Sequence, residues 1–286
     1  MIPIEPFTFR LVHPDDPGRI VRGTVDLPSG SSRRAPHVIL LHGFKGFMDW
    51  GFYPEIARRI AERGLAAVRY NASGSGVGED AESFTELEAF ARNTLSREIE
   101  DLERVRDWIR AGSVPGLDPD HASLLGHSRG GGLGLVHAAE RGDCRCVVTW
   151  SAVATFDRFG DEAKALWRAN GSLPILNART GQELRLDVSA LEDLEAHRER
   201  FDVPSACRRL GLPVLLVHGT ADETVPLEEC RRLADAIDRR HRQVLEVAGA
   251  GHTFGIRHPM KNSTESFERV ADATLDMLLR HGAGFL

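Results

Sequence analysis

Ala122-Ser123-Leu124-Leu125-Gly126-His127-Ser128-Arg129-Gly130-Gly131 reads as a short buried strand that stops at a glycine, turns, and enters a small-residue helix running from Gly131 to Arg141. A G-x-S-x-G between a strand and a helix is a nucleophile elbow: the glycines let the backbone turn so tightly that the serine hydroxyl stands at the tip, open to a substrate and a base. In a chain with 28 glycines the pattern has only moderate specificity, so its surroundings decide.

Working outward, strands and helices alternate almost from end to end. Residues 4–12 and 19–27 are expected as an antiparallel edge hairpin around a Pro14–Gly18 turn. His37–Leu41 is a continuous apolar run after its first residue, as for a strand covered on both faces. A helix over 53–63, a strand over 66–70 and a helix over 96–110 with the stripe Ile99, Leu102, Val105 and Ile109 follow. Beyond the elbow come strands at 145–150, 213–218 and 243–248 and helices at 226–240 and 263–280. Such alternation predicts an α/β fold: a mostly parallel, eight-stranded sheet flanked by helices.

One segment interrupts the pattern. Residues 151–206 separate two core strands by far more than a crossover needs, giving a core of 1–150 and 207–286 with an inserted lid. Leu173–Asn177 and Glu183–Val188 flank Ala178-Arg179-Thr180-Gly181-Gln182, a hairpin signal. Ser189-Ala190-Leu191-Glu192 fits a capping box opening a helix with Leu191, Leu194, Arg198 and Phe201 on one face. Phe156, Phe159 and Trp167 either line an acyl pocket or pin the lid to the body; Trp150 and His42 are further candidates for substrate contact.

Composition excludes several classes. At 286 residues one large domain or two small ones fit. A net charge of -6 argues against nucleic acid or an anionic membrane as partner. Cys144, Cys146, Cys207 and Cys230 lack zinc-site or C-x-x-C spacing and read as core thiols of a reducing compartment. No signal peptide and no bilayer-length apolar run is visible. A cytoplasmic protein is expected, with no metal and no cofactor. Its oligomeric state is open, a homodimer being one option.

A serine hydroxyl needs a base to take its proton, and the base needs an acid to hold its tautomer. Val214–His218 is a strand whose following turn carries Asp222, and the strand Val244–Val247 runs into Gly249-Ala250-Gly251-His252. Ser128, Asp222 and His252 thus stand in Ser…Asp…His order at the ends of core strands, the edge where open α/β sheets place their sites. Asp222 is preferred to Glu223 because it leaves the strand first, and Asp202 is held in reserve. Two backbone N–H donors should face the developing oxyanion. Arg129 follows the nucleophile at the positive end of its helix, and Phe44 lies in the turn His42-Gly43-Phe44-Lys45-Gly46.

Leu41-His42-Gly43-Phe44, Gly126 to Gly131, His218-Gly219-Thr220-Ala221-Asp222 and Gly249 to His252 together resemble the α/β-hydrolase superfamily over nearly the whole chain. The Phe44–Trp50 run and the hairpin-bearing lid are most similar to its cinnamoyl (feruloyl) esterase-like and acyl-peptidase-like branch. That resemblance implies a carboxylesterase acting on a small-molecule acyl ester through Ser128, His252 and Asp222, with no cofactor. Phe44 after His42-Gly43 departs from lipases with a His-Gly-Gly-Gly motif, and Ser128 departs from dienelactone hydrolases, whose nucleophile is cysteine. The extra N-terminal domain of prolyl oligopeptidases is not seen, which weakens a peptidase assignment. Acyl-peptidase and thioesterase activities stay open, as does a non-catalytic small-molecule binder on the same fold. A dinucleotide-binding oxidoreductase is disfavoured, because neither Gly126–Gly134 nor Gly74–Gly78 completes G-x-G-x-x-G.

Overall fold

The computed structural model describes residues 4–28, 34–80, 82–177 and 180–283. In chain order the body consists of β1 (Ile4–His13), β2 (Asp16–Pro28), β3 (Ala35–Leu41), α1 (Tyr53–Glu62), β4 (Ala66–Asn71), α2 (Leu87–Ala91), α3 (Leu95–Arg110), β5 (Leu117–His127), α4 (Arg129–Arg141) and β6 (Val147–Trp150). Between β6 and the next core strand lie α5 (Asp161–Asn170), the pair β7 (Ser172–Asn177) and β8 (Gln182–Asp187), α6 (Ser189–Ala196) and α7 (Val203–Arg208). The body closes with β9 (Val214–Gly219), α8 (Leu227–Ala236), β10 (Arg242–Val247), α9 (Glu265–Met277) and a π-type turn, Leu278–Gly282.

Eight strands form one sheet in the order β1-β2-β4-β3-β5-β6-β9-β10. From β4 to β10 every neighbour is parallel; β2 pairs antiparallel with both β1 and β4. Every residue of β3 is buried, as its apolar run requires. Alternation along the strands sorts the core into two layers. Ile39 and Leu124 face α3, α4 and α8, while Val38, Leu40 and Leu125 face α1 and α9. The Ile99, Leu102, Val105 and Ile109 stripe lies on the buried face of α3, whose Thr94 hydroxyl accepts from the Arg97 N–H at 3.2 Å. Asp101 shares that face, held there by the Ser73 N–H (2.7 Å) and by Arg19 (3.1 Å).

The first hairpin turns earlier than Pro14–Gly18 suggests. Asp16 already pairs with His13, and its carboxylate accepts from the Gly18 N–H at 3.1 Å. The inserted hairpin is in register from Ser172 opposite Asp187 to Asn177 opposite Gln182; of its turn, Ala178 and Arg179 lie outside the described residues.

The helix behind the hairpin differs from expectation. Val188 occupies the cap position of α6 and no side chain caps it, so Ser189 is the first helical residue. The helix stops at Ala196, which leaves Arg198 and Phe201 beyond it. Phe201 joins instead the core cluster that includes Leu133 and Val136 of α4, edge-on to Phe156 at 6.0 Å. Asp202 caps α7 by accepting from the Ser205 N–H at 2.9 Å, and α7 packs against α4 and α8. Neither α5 nor α7 was marked by the sequence pattern.

Candidate active site

The elbow is built from backbone contact. Ser128 sits between β5 and α4 with φ 57° and ψ -122°, a conformation that non-glycine residues hold at a cost of about 1–3 kcal/mol and that clusters at functional sites. The positive φ therefore belongs to the serine, while the glycines supply space. A Cβ on Gly126 would stand 2.4 Å from the Gly130 carbonyl oxygen, and one on Gly130 would stand 2.5 Å from the carbonyl oxygens of Leu41 and His42. This approach brings the loop after β3 against Ser128: a Cβ on Gly43 would meet the Ser128 Cβ at 3.0 Å.

Asp222 and His252 come from the turns after β9 and β10. The His252 Nδ1 lies 2.8 Å from Asp222 Oδ2, and Asp222 Oδ1 accepts from the Thr224 and Val225 N–H groups at 2.9 Å each. Burial alone would raise the Asp222 carboxyl. The hydrogen bonds from His252 and Val225 and the His252 charge outweigh burial and bring it down to about 2. An ionised Asp222 keeps the proton on Nδ1 and leaves Nε2 available as a base. The His252 side chain is 18% exposed, and it opens with Ser128 onto one cavity. Glu223 is exposed and Asp202 is engaged at the start of α7, so neither is placed to serve His252.

Two further imidazoles brace these turns, and sequence reasoning gave them no role. His127, inside the elbow, lies with Nε2 2.9 Å from the His252 carbonyl oxygen and its ring 4.6 Å from the His252 ring. Burial pulls its pKa down to about 3, so it is neutral and donates Nε2–H, tying the His252 loop to the elbow. His218 at the end of β9 likewise donates Nε2–H to the Val225 carbonyl at 2.8 Å, closing the turn that carries Asp222; burial lowers its pKa as well. A polar residue at the end of an otherwise apolar strand was the available signal for both.

Arg129 is the first residue of α4 and Phe44 lies in the loop after β3. Among the described residues no backbone acceptor takes either N–H. The loop is tightened by the Gly46 N–H to the Gly43 carbonyl at 2.9 Å and by Lys45 at φ 56°.

The cavity beside Ser128 has a volume of about 430 Å³. Phe156, Phe159 and Trp167 all line it, and they also fasten the insertion: Phe159 meets Trp167 edge-on at 5.1 Å, and the Trp167 indole donates to the Leu186 carbonyl at 2.9 Å. These last contacts lie within the insertion, while the Phe156 ring packs against Gly132 of α4 in the body. Leu186, Leu191 and Leu194 of the insertion and Asn93 and Leu95 at the start of α3 complete the wall without any motif to announce them.

His42 and Trp150 are not part of this wall, which corrects their reading as substrate contacts. The His42 Nε2 accepts from the Ala72 N–H at 3.3 Å and its Nδ1 faces the Gly43 carbonyl at 2.9 Å, so the ring turns toward β4 and shapes the loop. Strand alternation sends Trp150 to the opposite face, where it is 1% exposed between Phe254 and Phe267 and donates to the Thr274 hydroxyl at 2.9 Å. Among the described residues no group of three or more His, Cys, Asp or Glu is arranged to hold a metal ion, and no helix is long and apolar enough to cross a membrane. All four cysteines are buried free thiols.

The same architecture recurs in solved structures. Est1E from Butyrivibrio proteoclasticus is 18% identical, with 96% of this chain and 98% of that one covered and a TM-score of 0.68. The esterase domain of a Rhodothermus marinus protein is 20% identical, with 97% and 99% covered and a TM-score of 0.65. An uncharacterized 31.7 kDa protein of Escherichia coli, from the traX-finO intergenic region, is 22% identical over 260 residues, 80% of this chain and 87% of that protein. A family model matches residues 50–275, from the loop before α1 into α9, and the chain, an α/β-hydrolase by its sheet order and elbow, belongs to the prolyl oligopeptidase family.

Proposed function

We propose that the protein is a serine hydrolase that cleaves carboxylic esters through an acyl-enzyme. One observation carries this reading: an ionised Asp222 holds His252 at 2.8 Å beside a cavity that also opens on Ser128, itself held at a strained elbow. In the proposed reaction His252 Nε2 takes the proton of Ser128 as Oγ attacks the ester carbonyl. The N–H groups of Phe44 and Arg129 stabilise the oxyanion. Collapse expels the alcohol with the proton from His252, and water then releases the acid by the same steps. The relatives, an esterase domain among them, agree with ester cleavage, while the family name keeps amide cleavage as the second reading.

A fluorophosphonate probe should label wild-type protein at Ser128, and short p-nitrophenyl esters should be cleaved faster than aminoacyl amides or acyl thioesters. Faster amide cleavage by a labelled protein would move the assignment to an acyl-peptidase. A folded protein that takes no label would be a binder.

The insertion serves, in this reading, as a fixed lid over the acyl group. It is held down at several points: Ser96 N–H to Asp193 at 3.0 Å, Gln182 to the Phe84 carbonyl at 3.0 Å, and Arg158 to Glu229 at 2.7 Å. An acyl group that buries about 100 Å² against it gains about 2.5 kcal/mol. Replacing residues 161–196 by a short Gly/Ser linker should therefore lower kcat/KM for longer acyl chains by about 70-fold, mostly through KM, while a small phosphonate still labels Ser128. An unchanged dependence on chain length would reduce the insertion to packing.

A further inference from the structure

We propose that the preferred substrate is an ester whose acyl part ends in a carboxylate, recognised by the Arg129 side chain with help from Lys45 and Arg158. The inference rests on the serine-hydrolase reading of the site and adds the charge of its substrate.

The chain carries a net charge of -6, yet among the described residues the charged side chains on the cavity wall are Lys45, Arg129 and Arg158, with no Asp or Glu. The carboxylates that partner the two arginines stand behind the wall. Glu98 meets Arg129 Nη2 at 3.0 Å and is itself fixed by Asn93 Nδ2 at 2.7 Å. Glu229 takes Arg158 Nη1 at 2.7 Å, while Arg158 Nη2 donates to the Thr224 carbonyl at 2.8 Å. Lys45 reaches across from the loop after β3 to the Leu176 carbonyl of β7 at 3.0 Å. A ligand entering the cavity therefore faces cations, with the opposing charge held beyond them.

Arg129 is the anchor because it is held in place before any ligand arrives. Glu98 grips one edge of its guanidinium, and the Phe44 ring lies under it at 5.2 Å. The guanidinium fixed this way has Nη2 on Glu98 and offers a carboxylate its remaining N–H donors, with little side-chain freedom left to lose on binding. The proposed oxyanion donors are the N–H groups of Phe44 and Arg129, and the side chains of Arg129 and of Lys45, the residue after Phe44, line the same cavity, so the terminal carboxylate is assigned to the acyl part. The apolar wall from Phe156, Trp167 and Leu191 receives the methylenes between the ester and the terminal charge.

The test compares p-nitrophenyl monoglutarate with p-nitrophenyl valerate, which match in length and differ in terminal charge, on purified wild-type protein. The monoglutarate should show kcat/KM about tenfold higher, as one charged hydrogen bond supplies, with an advantage that shrinks at high salt. In Arg129→Met the ratio of the two should fall to about one, and Arg129→Lys should recover part of it. Equal or faster cleavage of the valerate by wild type overturns the inference and leaves the esterase reading standing. So does a ratio that survives Arg129→Met, or a preference for a carboxylate on the alcohol side. Cleavage of neither ester, with no probe label, removes the esterase reading and this inference with it.

Discussion

Ser128→Ala and His252→Ala should each lower kcat by on the order of 10⁶-fold, and the double variant should be little worse than either alone. In the proposed mechanism the three groups act as one unit, so removing any part strands the others. Asp222→Asn should cost about 10⁴-fold. Asp222 Oδ1 accepts two backbone N–H bonds while Oδ2 takes the His252 Nδ1 proton. An amide oriented to keep the backbone bonds would turn its NH₂ toward His252 and force the proton to Nε2, the atom that must act as base. Glu223→Gln and Asp202→Asn should stay near wild type, because one carboxylate is exposed and the other caps α7. Steady-state kinetics on an activated ester measures all six variants. A near-normal Asp222→Asn beside a collapsed Asp202→Asn would overturn the assignment of the acid.

The body of the fold was legible because its physics is periodic. β3 and β5 announce themselves as apolar runs, since a parallel strand between two helical layers has no wet face. The α3 stripe announces itself because one side of a helix meets the sheet. The sites at strand ends followed from topology: Ser128, Asp222 and His252 each leave a parallel strand at the same edge. Legibility failed where side-chain direction depends on a distant partner. His42 sits next to Gly43 in sequence, but the Ala72 N–H just past β4 turns its ring away from the cavity. Trp150 lies one residue from the insertion, yet alternation buries it on the α9 face. Asn93 and Leu95 reach the cavity only because α3 begins beneath the insertion, and no local pattern encodes that. The short helices α2 and α7, of five and six residues, hold too few turns for a periodicity to show.

The buried histidines show how the body and the site are joined. His127 and His218 each donate to the carbonyl of a residue on a catalytic turn, so the loops that carry His252 and Asp222 are fixed to the elbow and to β9 by neutral hydrogen bonds. Neutral imidazoles do this without placing another cation beside His252, which would oppose the imidazolium that the proposed reaction forms there.

Gly130→Ala should remove at least about 100-fold of kcat from a protein that still folds, the rate lost when a catalytic group is displaced by about 1 Å. The added methyl would lie 2.5 Å from two backbone carbonyl oxygens, those of Leu41 and His42 at the end of β3. Backbone in the centre of a parallel sheet has no rotamer to escape to, so the strain moves the elbow away from the β3 loop. Ser128 stands on one side of that contact and Gly43-Phe44 on the other. The nucleophile would then separate from a proposed oxyanion donor while the triad's Asp222–His252 pair stays intact. Overpacking of this kind costs about 1–3 kcal/mol of stability, small enough for a domain of this size to remain folded. Gly134→Ala provides the contrast on the same helix. Its methyl would meet the movable Leu41 Cδ1 at 3.2 Å, and alanine is the better helix former, so activity and melting temperature should stay close to wild type. Circular dichroism and kcat on the two variants separate the cases. If Gly130→Ala kept full activity, the close approach of β3 and the elbow would have no part in positioning Ser128.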